Sequence, residues 1–211
     1  MNPPTQGPIR AYRPDDRDAL YAVCLQTAAN GGDATALHAD PSLPGAVWVG
    51  PYVEFEPDLA FVLDDGAGAQ GYVIGSLDTR AFEERCDTEW MPPLQRLHHA
   101  EEFEPDTRDA SLVRLIHHPM VAPESVVSDY PSHLHIDLLP RWQGGGWGRR
   151  LIDTLLSRLT ERGSTGVFLG VNPENEHAVG FYRHLGFEPV STDGGLWLGR
   201  SLGAATMHHG E

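Results

Sequence analysis

A glycine-rich segment at residues 143–148 lies between a predicted strand and a predicted helix, and it constrains the fold more than any other feature. Before it, residues 133–139 have the length and apolar character of a strand. After it, apolar side chains recur at helical spacing, at Leu151, Ile152, Leu155, Leu156 and Leu159. A buried strand is predicted next, at residues 166–171. A strand, a helix and a strand in this order indicate parallel pairing of the two strands.

The loop at residues 143–148 has the chemistry of an anion-binding site. Its four glycines let the backbone approach a ligand closely. The N–H groups at the start of the following helix have no intrahelical partner, and the helix dipole adds positive charge there. Arg149 and Arg150 follow at once and can pair with phosphate oxygens. The sequence therefore predicts a phosphate or pyrophosphate site, with a ligand-free tight turn as the alternative.

Composition excludes several other classes of function. The chain contains no lysine, which excludes a lysine Schiff base and the lysine-bearing phosphate loop of nucleotide triphosphatases. The pattern G-x-G-x-x-G is absent from the loop, which disfavours a dinucleotide-binding fold. Aspartate and glutamate number 30 against 15 basic residues, for a formal net charge of -15. This charge repels nucleic acid and attracts a cationic amine or a basic peptide.

The chain is predicted to form a single α/β domain over residues 1–211, with a core at about 132–190 and an insertion at about 80–130. Residues 33–50 are rich in glycine, proline and aspartate and predict a loop. The other predicted elements are a strand at 9–12, a helix from 14 to about 29, a hairpin at 59–63 and 70–78, a helix at 176–185, and strands at 186–190 and 196–199.

No stretch approaches the roughly 18–20 apolar residues of a membrane helix, and residues 1–10 lack the apolar run of a signal peptide. We therefore expect a cytoplasmic protein without membrane partners. Cys24 and Cys86 are the two cysteines, and both are predicted to be buried thiols. The adjacent histidine pairs have diverging side chains, so no metal site is predicted. These pairs are at residues 98–99, 117–118 and 208–209.

Two motifs give the chain a resemblance to a known superfamily. The pattern Pro140-x-x-Gln143-x-x-Gly146-x-Gly148 resembles the acyl-CoA loop, Q/R-x-x-G-x-G/A, of the GNAT acyltransferases. Residues 172–187 resemble the second motif of that superfamily. The resemblance implies a mixed, twisted sheet of about six to seven strands, with helices on both faces and a parallel pair that splays apart. It also implies direct transfer of an acetyl group from acetyl-CoA, as cosubstrate, to an amine.

A narrower resemblance covers more of the chain and points to the acetyltransferase-like C-terminal domain of eukaryotic O-GlcNAc hydrolases. The residues that carry it are 71–78, Phe82, Cys86, Trp90, Pro92 and 198–202. We expect a stand-alone protein of this kind, either a monomer or a homodimer. The phosphate loop of the eukaryotic domain departs from the acyl-CoA pattern, whereas the loop of this chain keeps it. This favours acetyl-CoA binding, with a non-catalytic acetyl-CoA-binding or protein-interaction module as the alternative.

The resemblance also implies which residues contact acetyl-CoA. They are Leu138, Leu139, Gln143, Gly144, Gly145, Gly146, Trp147, Gly148, Arg149, Asn175 and Tyr182. Leu138 and Leu139 are expected to act through backbone groups, along which the pantetheine arm would run. Asn175 fits a contact with the arm and a helix cap equally well. Tyr182 matches the position that often protonates the departing thiolate, and a tyrosine packed in the core is the alternative.

Three polar residues of the predicted strand at 133–139 share one face, because His133, His135 and Asp137 alternate along it. Burying such groups is costly without a purpose. Asp137 is the preferred proton acceptor for the attacking amine, and the eukaryotic relatives resemble this chain in having an aspartate there. His135 is the second candidate, because an imidazole with an ordinary pKa of about 6.5 suits the task. For His133, a functional role on this face and an exposed strand end fit equally well.

Overall fold

A mixed sheet organises the part of the chain that the structure, a computed structural model, describes: residues 8–99 and 103–203. Seven strands of these residues lie in the order β1-β2-β3-β4-β5-β7-β6. They are β1 (Ile9–Ala11), β2 (Ala60–Asp64), β3 (Ala69–Ser76), β4 (Ser132–Leu138), β5 (Gly166–Val171), β6 (Glu188–Ser191) and β7 (Leu196–Ser201). Neighbouring strands are antiparallel, except for the parallel pair of β4 and β5. The predicted α/β class and mixed sheet are confirmed.

The parallel pair divides the sheet. β4 and β5 are in register at two positions, Ser132 with Val167 and His133 with Phe168. Past these positions no described strand pairs with this edge of β4, although β4 continues to Leu138. The predicted splaying is therefore confirmed, and it opens a gap between the two halves of the sheet.

Helices cover both faces of the sheet. They are α1 (Arg17–Leu25), α2 (Leu43–Trp48), α3 (Gly50–Phe55), α4 (Thr79–Arg85), α5 (Met91–Leu97), α6 (Arg108–His117), α7 (Glu124–Val127), α8 (Trp147–Glu161) and α9 (Glu176–His184). Successive side chains of β2 point to opposite faces of the sheet. Phe61 and Leu63 pack in the cluster that contains the apolar stripe of α8, whereas Ala60 and Val62 pack in the cluster that contains α1. The described helices include none long and apolar enough to cross a membrane.

The prediction of a loop over residues 33–50 is wrong, because α2 and the start of α3 lie there. The two glycines of these helices are needed for close packing and do not mark turns. A Cβ atom at Gly45 would lie 2.2 Å from the ring of Tyr21, and one at Gly50 would lie 2.3 Å from the ring of Trp90. Tertiary packing thus stabilises helices that local propensity does not favour.

Three further predictions concern the end of the first helix, the histidine pair at 208–209 and the two cysteines. The first helix ends at Leu25 and not near Ala29, since the Thr27 hydroxyl donates to the Val23 carbonyl at 2.8 Å and the chain turns there. The histidine pair at 208–209 lies outside the described residues. Cys24 and Cys86 are free and buried, as predicted.

The insertion at 80–130 contributes α4 to α7, and a buried hydrogen bond joins it to the segment before α2. His38 Nδ1 lies 2.6 Å from Asp109 Oδ1 on α6, and both side chains are 4% exposed. The other carboxylate oxygen of Asp109 accepts the backbone N–H of Ala39 at 2.7 Å. The insertion therefore holds α2 in place, and α2 supplies one wall of the candidate site.

Candidate active site

The segment between β4 and α8 presents a row of backbone donors. From Gly144 to Arg149, none of the six N–H groups donates a hydrogen bond to another residue that the structure describes. Gly144 and Gly146 have φ angles of +75° and +79°, which other residues adopt only with strain. Gly146 is the N-cap of α8. The glycines therefore allow a loop whose free N–H groups can hold an anion at the positive end of a helix.

Two contacts fix this loop against its surroundings. Gln143 Nε2 donates to the Leu138 carbonyl at 2.9 Å, which ties the loop to the end of β4. A Cβ atom at Gly148 would lie 2.9 Å from Phe181 Cζ. Gly148 thus lets α9 pack closely against the start of α8.

At the end of β4, the backbone groups of Leu138 and Leu139 point to opposite sides of the strand. The N–H of Leu139 donates to the Gln70 carbonyl beside β3, at 3.0 Å. Because backbone groups alternate in direction along a strand, those of Leu138 face the gap on the β5 side. Of the two residues predicted to contact the pantetheine arm through their backbone, the structure turns Leu138 towards the gap and Leu139 away from it.

Two arginines lie beside the row of donors. Arg149 Nη2 lies 3.4 Å from the His184 carbonyl. The guanidinium of Arg150 lies 4.5 Å from the centroid of the Trp147 ring, within the range of a cation–π contact. Both arginines are exposed, and no described carboxylate forms an ion pair with either. Their charges are therefore available to an anion at the loop.

A hydrogen-bonded group of side chains lies on the α1 side of β3 and β4. Tyr72 pairs in register with Asp137, and its hydroxyl donates to Asp137 Oδ2 at 2.5 Å. The same oxygen lies 3.0 Å from His135 Nε2. Oδ1 of Asp137 and Nδ1 of His135 form no hydrogen bond to a described residue. Trp48 of α2 stacks on His135, with ring centroids 6.4 Å apart.

In this arrangement His135 and Asp137 can accept a proton, and Tyr72 holds the Asp137 carboxylate in position. The side chain of His135 is 35% exposed and that of Asp137 18%, so both reach the site. Tyr72 is completely buried, and burial together with the Asp137 charge raises the pKa of its hydroxyl well above the ordinary value. Tyr72 therefore stays protonated and remains a donor to Asp137.

The structure decides between the two alternatives for His133. Its Nδ1 lies 2.8 Å from Thr79 Oγ1, and its Nε2 lies 2.9 Å from the Tyr52 hydroxyl. Because Thr79 already donates its proton to the Pro131 carbonyl, Nδ1 of His133 must donate and Nε2 must accept. Burial, with a smaller effect from His135, lowers the pKa of His133 to about 4. Of the two alternatives for His133, the exposed strand end is wrong, and the structure makes this histidine a neutral structural group.

Tyr182 and Asn175 belong to α9 on the other side of the gap. The Tyr182 ring packs against Phe187, with centroids 5.9 Å apart. Its hydroxyl has no hydrogen-bond partner among the described residues, and burial raises its pKa, with a smaller effect from Asp137. Asn175 is the N-cap of α9, and its Oδ1 accepts the N–H of Ala178 at 3.0 Å. The cap is therefore formed, and the Asn175 amide nitrogen remains for a ligand.

Sequence reasoning missed one member of the site, Tyr72. Tyr72 was part of a predicted hairpin, but its position opposite Asp137 depends on the pairing of β3 with β4, which are far apart in the chain. For Trp48 the sequence favours the core over a wall of the acceptor site, and the structure stacks its ring on His135. Alternating polar residues on the strand at 133–139 could have indicated that a neighbouring strand supplies a polar partner on the same face.

A sheet that opens at one parallel pair, with an anion-binding loop at the head of the next helix, defines the class of CoA-dependent acyltransferases. Residues 120–187 match the model of the family described as "Acetyltransferase (GNAT) family". A crystal structure of SsHAT is 44% identical, with a TM-score of 0.85, over 92% of this chain and 98% of that chain. The chain belongs to the GNAT acetyltransferase family.

Curated relatives match parts of longer proteins. Protein O-GlcNAcase of Rattus norvegicus is 29% identical over 201 residues, which is 92% of this chain and 22% of that protein. The match falls in its C-terminal region, which confirms the narrower resemblance. A mycothiol acetyltransferase of Streptomyces avermitilis is 30% identical over 156 residues, which is 74% of this chain and 47% of that protein. The chain thus spans about a fifth of the first relative and about half of the second.

Proposed function

We propose that the chain is an N-acetyltransferase that transfers an acetyl group directly from acetyl-CoA to an amine. The observation that carries the proposal is the row of free N–H groups from Gly144 to Arg149, placed where β4 and β5 separate. Pyrophosphate is an anion that such a row holds well. An unpaired strand edge next to it suits the extended arm of a CoA thioester, since it offers backbone donors and acceptors.

The residues present fit acetyl-CoA. The N–H groups of the loop would hold its pyrophosphate, with Arg149 adding positive charge. The backbone N–H of Leu138 would donate to the pantetheine arm in the gap, while the Leu138 carbonyl accepts from Gln143. Asn175 would reach the arm through its amide nitrogen while its oxygen caps α9. Acetyl-CoA supplies the acetyl group as a thioester, and the protein's own side chains move the protons.

Two proton transfers are needed. An amine that attacks the thioester carbon must lose a proton, and Asp137 accepts it through Oδ1, directly or through water. His135 is the second candidate for this role, since its Nδ1 is free. As the C–S bond breaks, Tyr182 donates its proton to the sulfur and regains one from solvent. Burial keeps the Tyr182 phenol protonated at neutral pH, which suits a donor.

The acceptor is proposed to be a small amine or a basic peptide. The net charge of -15 attracts a cation. On the site itself, the Asp137 carboxylate and the Trp48 ring both lie next to His135, and a carboxylate near an aromatic ring suits an ammonium group. Some relatives are named mycothiol acetyltransferases, which supports acetyl transfer as the reaction.

Calorimetric titration with acetyl-CoA tests the binding step. Gly146→Glu is expected to abolish binding, because the new carboxylate lies in the anion site. Gly194→Glu is the matched control: Gly194 also has a positive φ, +68°, and a Cβ there also meets nothing within 4 Å. This control is expected to bind like the unmodified protein. No binding by the unmodified protein, or equal loss in both variants, would contradict the proposal.

Turnover separates an enzyme from a binding module. A panel of amines, from small polyamines to basic peptides, is assayed by release of free CoA thiol. Tyr182→Phe is expected to slow turnover while acetyl-CoA affinity stays nearly unchanged, because the phenyl ring keeps the packing against Phe187. Equal loss of affinity would contradict the proton-donor role. Tight binding without turnover on any amine would favour the non-catalytic acetyl-CoA-binding module.

A further inference from the structure

The indole N–H of Trp142 is a fully buried donor without a partner among the described residues. Trp142 is the last residue of the 3-10 turn Pro140–Trp142, which joins β4 to the glycine-rich loop. Its indole Nε1 is buried and forms no hydrogen bond to any described residue. Other indoles of the molecule are satisfied: Trp90 Nε1 donates to the Ala46 carbonyl at 2.9 Å, and Trp197 Nε1 donates to the Asp193 carbonyl at 2.7 Å.

An unpaired buried donor is costly and rare. Leaving such a group unsatisfied costs about 1–3 kcal/mol, and native proteins pair nearly all buried polar groups. An indole nitrogen can only donate, so the missing partner must be an acceptor. The position is therefore one where a bound molecule supplies an oxygen.

The surroundings of Trp142 point to the kind of oxygen. The ring packs against both core clusters of the sheet, and it meets the Trp147 ring edge-on with centroids 5.8 Å apart. The next residue, Gln143, is bonded to the Leu138 carbonyl at the end of β4. Trp142 thus lies between the anion-binding loop and the opening of the sheet, in an apolar environment. A neutral carbonyl suits this environment, whereas a phosphate would be buried without a countercharge.

We propose that the Trp142 indole N–H donates a hydrogen bond to an amide carbonyl of the pantetheine arm of the acyl-CoA. The inference rests on the proposed function and adds to it a side-chain contact for the arm. The loop N–H groups hold the phosphates, and Trp142 recognises the neutral amide next to them. The rival occupant is a buried water molecule, which would satisfy the indole equally in the presence and absence of ligand.

The indole N–H resonances of protein labelled with 15N-tryptophan test the contact, and Trp142→Phe assigns the Trp142 peak. Addition of acetyl-CoA is expected to shift this peak, and acetyl-pantetheine is expected to shift it in the same direction. Adenosine 3′,5′-bisphosphate, which lacks the arm, is expected to leave it in place. The Trp197 peak is the internal control and is expected to stay in place throughout.

The outcomes distinguish the inference from the function on which it rests. If acetyl-CoA shifts the backbone amides of the glycine-rich loop but not the Trp142 indole, the contact is refuted and acetyl-CoA binding stands. If it shifts neither, both are refuted. Calorimetry gives a second readout: Trp142→Phe is expected to weaken acetyl-CoA and acetyl-pantetheine by the same factor, about 3- to 10-fold. Unchanged affinities in a variant with a native-like thermal transition would also refute the contact.

Discussion

Acidification is expected to destabilise the protein through His133. This histidine is neutral in the folded state, where its pKa is lowered to about 4 mainly by burial. In the unfolded chain an imidazole has a pKa of about 6.5. Between these two values the unfolded state binds one proton more than the folded state, so stability falls as the pH falls. The loss begins near the unfolded pKa and is complete below the folded one.

The size of the effect follows from the difference between the two pKa values. At pH 4.5, it amounts to about 2 to 3 kcal/mol relative to pH 7.5. Urea unfolding at a series of pH values measures it, with His133→Gln as the comparison. The variant retains a side chain that can donate to Thr79 and accept from Tyr52, but it does not titrate. Its stability is expected to decline less between pH 6.5 and 4.5 than that of the unmodified protein, by this amount.

An independent measurement checks the same reasoning at the level of the side chain. Imidazole 15N spectra are expected to show His133 in the neutral form with the proton on Nδ1, down to a pH near 4. Equal pH dependence of stability in the two proteins would refute the assignment. A His133 resonance that titrates near pH 6.5 would refute it as well, and would favour the alternative of an exposed strand end.

Two further substitutions test the contacts that shape the site. Gly148→Ala is expected to destabilise the protein by about 1–3 kcal/mol, because the new Cβ would lie 2.9 Å from Phe181 Cζ. Gly145→Ala is the control and is expected to cost less, since its Cβ would lie 3.3 Å from the nearest atom. Urea unfolding compares the stabilities of the two variants, and equal losses would contradict the packing argument. Tyr72→Phe removes a hydrogen bond to the Asp137 carboxylate and is expected to cost about 1.5–3 kcal/mol of stability and to lower kcat more than it raises KM for acetyl-CoA. Unfolding curves and steady-state kinetics measure both, and a variant with unchanged stability would contradict the bond.

The unit from β4 to α9 could be predicted from the sequence, because its determinants are local. Glycines at 144 and 146 are needed for left-handed backbone, and the apolar spacing from Leu151 to Leu159 defines one buried helix face. Such patterns lie within a few residues of each other and depend little on the rest of the chain. The anion-binding character of the loop follows from the same residues, since free N–H groups are a property of any helix start.

Only the tertiary structure determines how the acceptor side of the site is built. The pairing of β3 with β4 places Tyr72 opposite Asp137, and no local pattern records a contact between residues 65 positions apart. The same pairing and the packing of α3 bury His133, for which the spacing alone left an exposed strand end and a functional role equally open. α2 forms where the composition predicted a loop, because Gly45 fits against Tyr21. In each case the physical reason is the same: burial and hydrogen bonding between distant segments outweigh the local preferences that a sequence pattern reports.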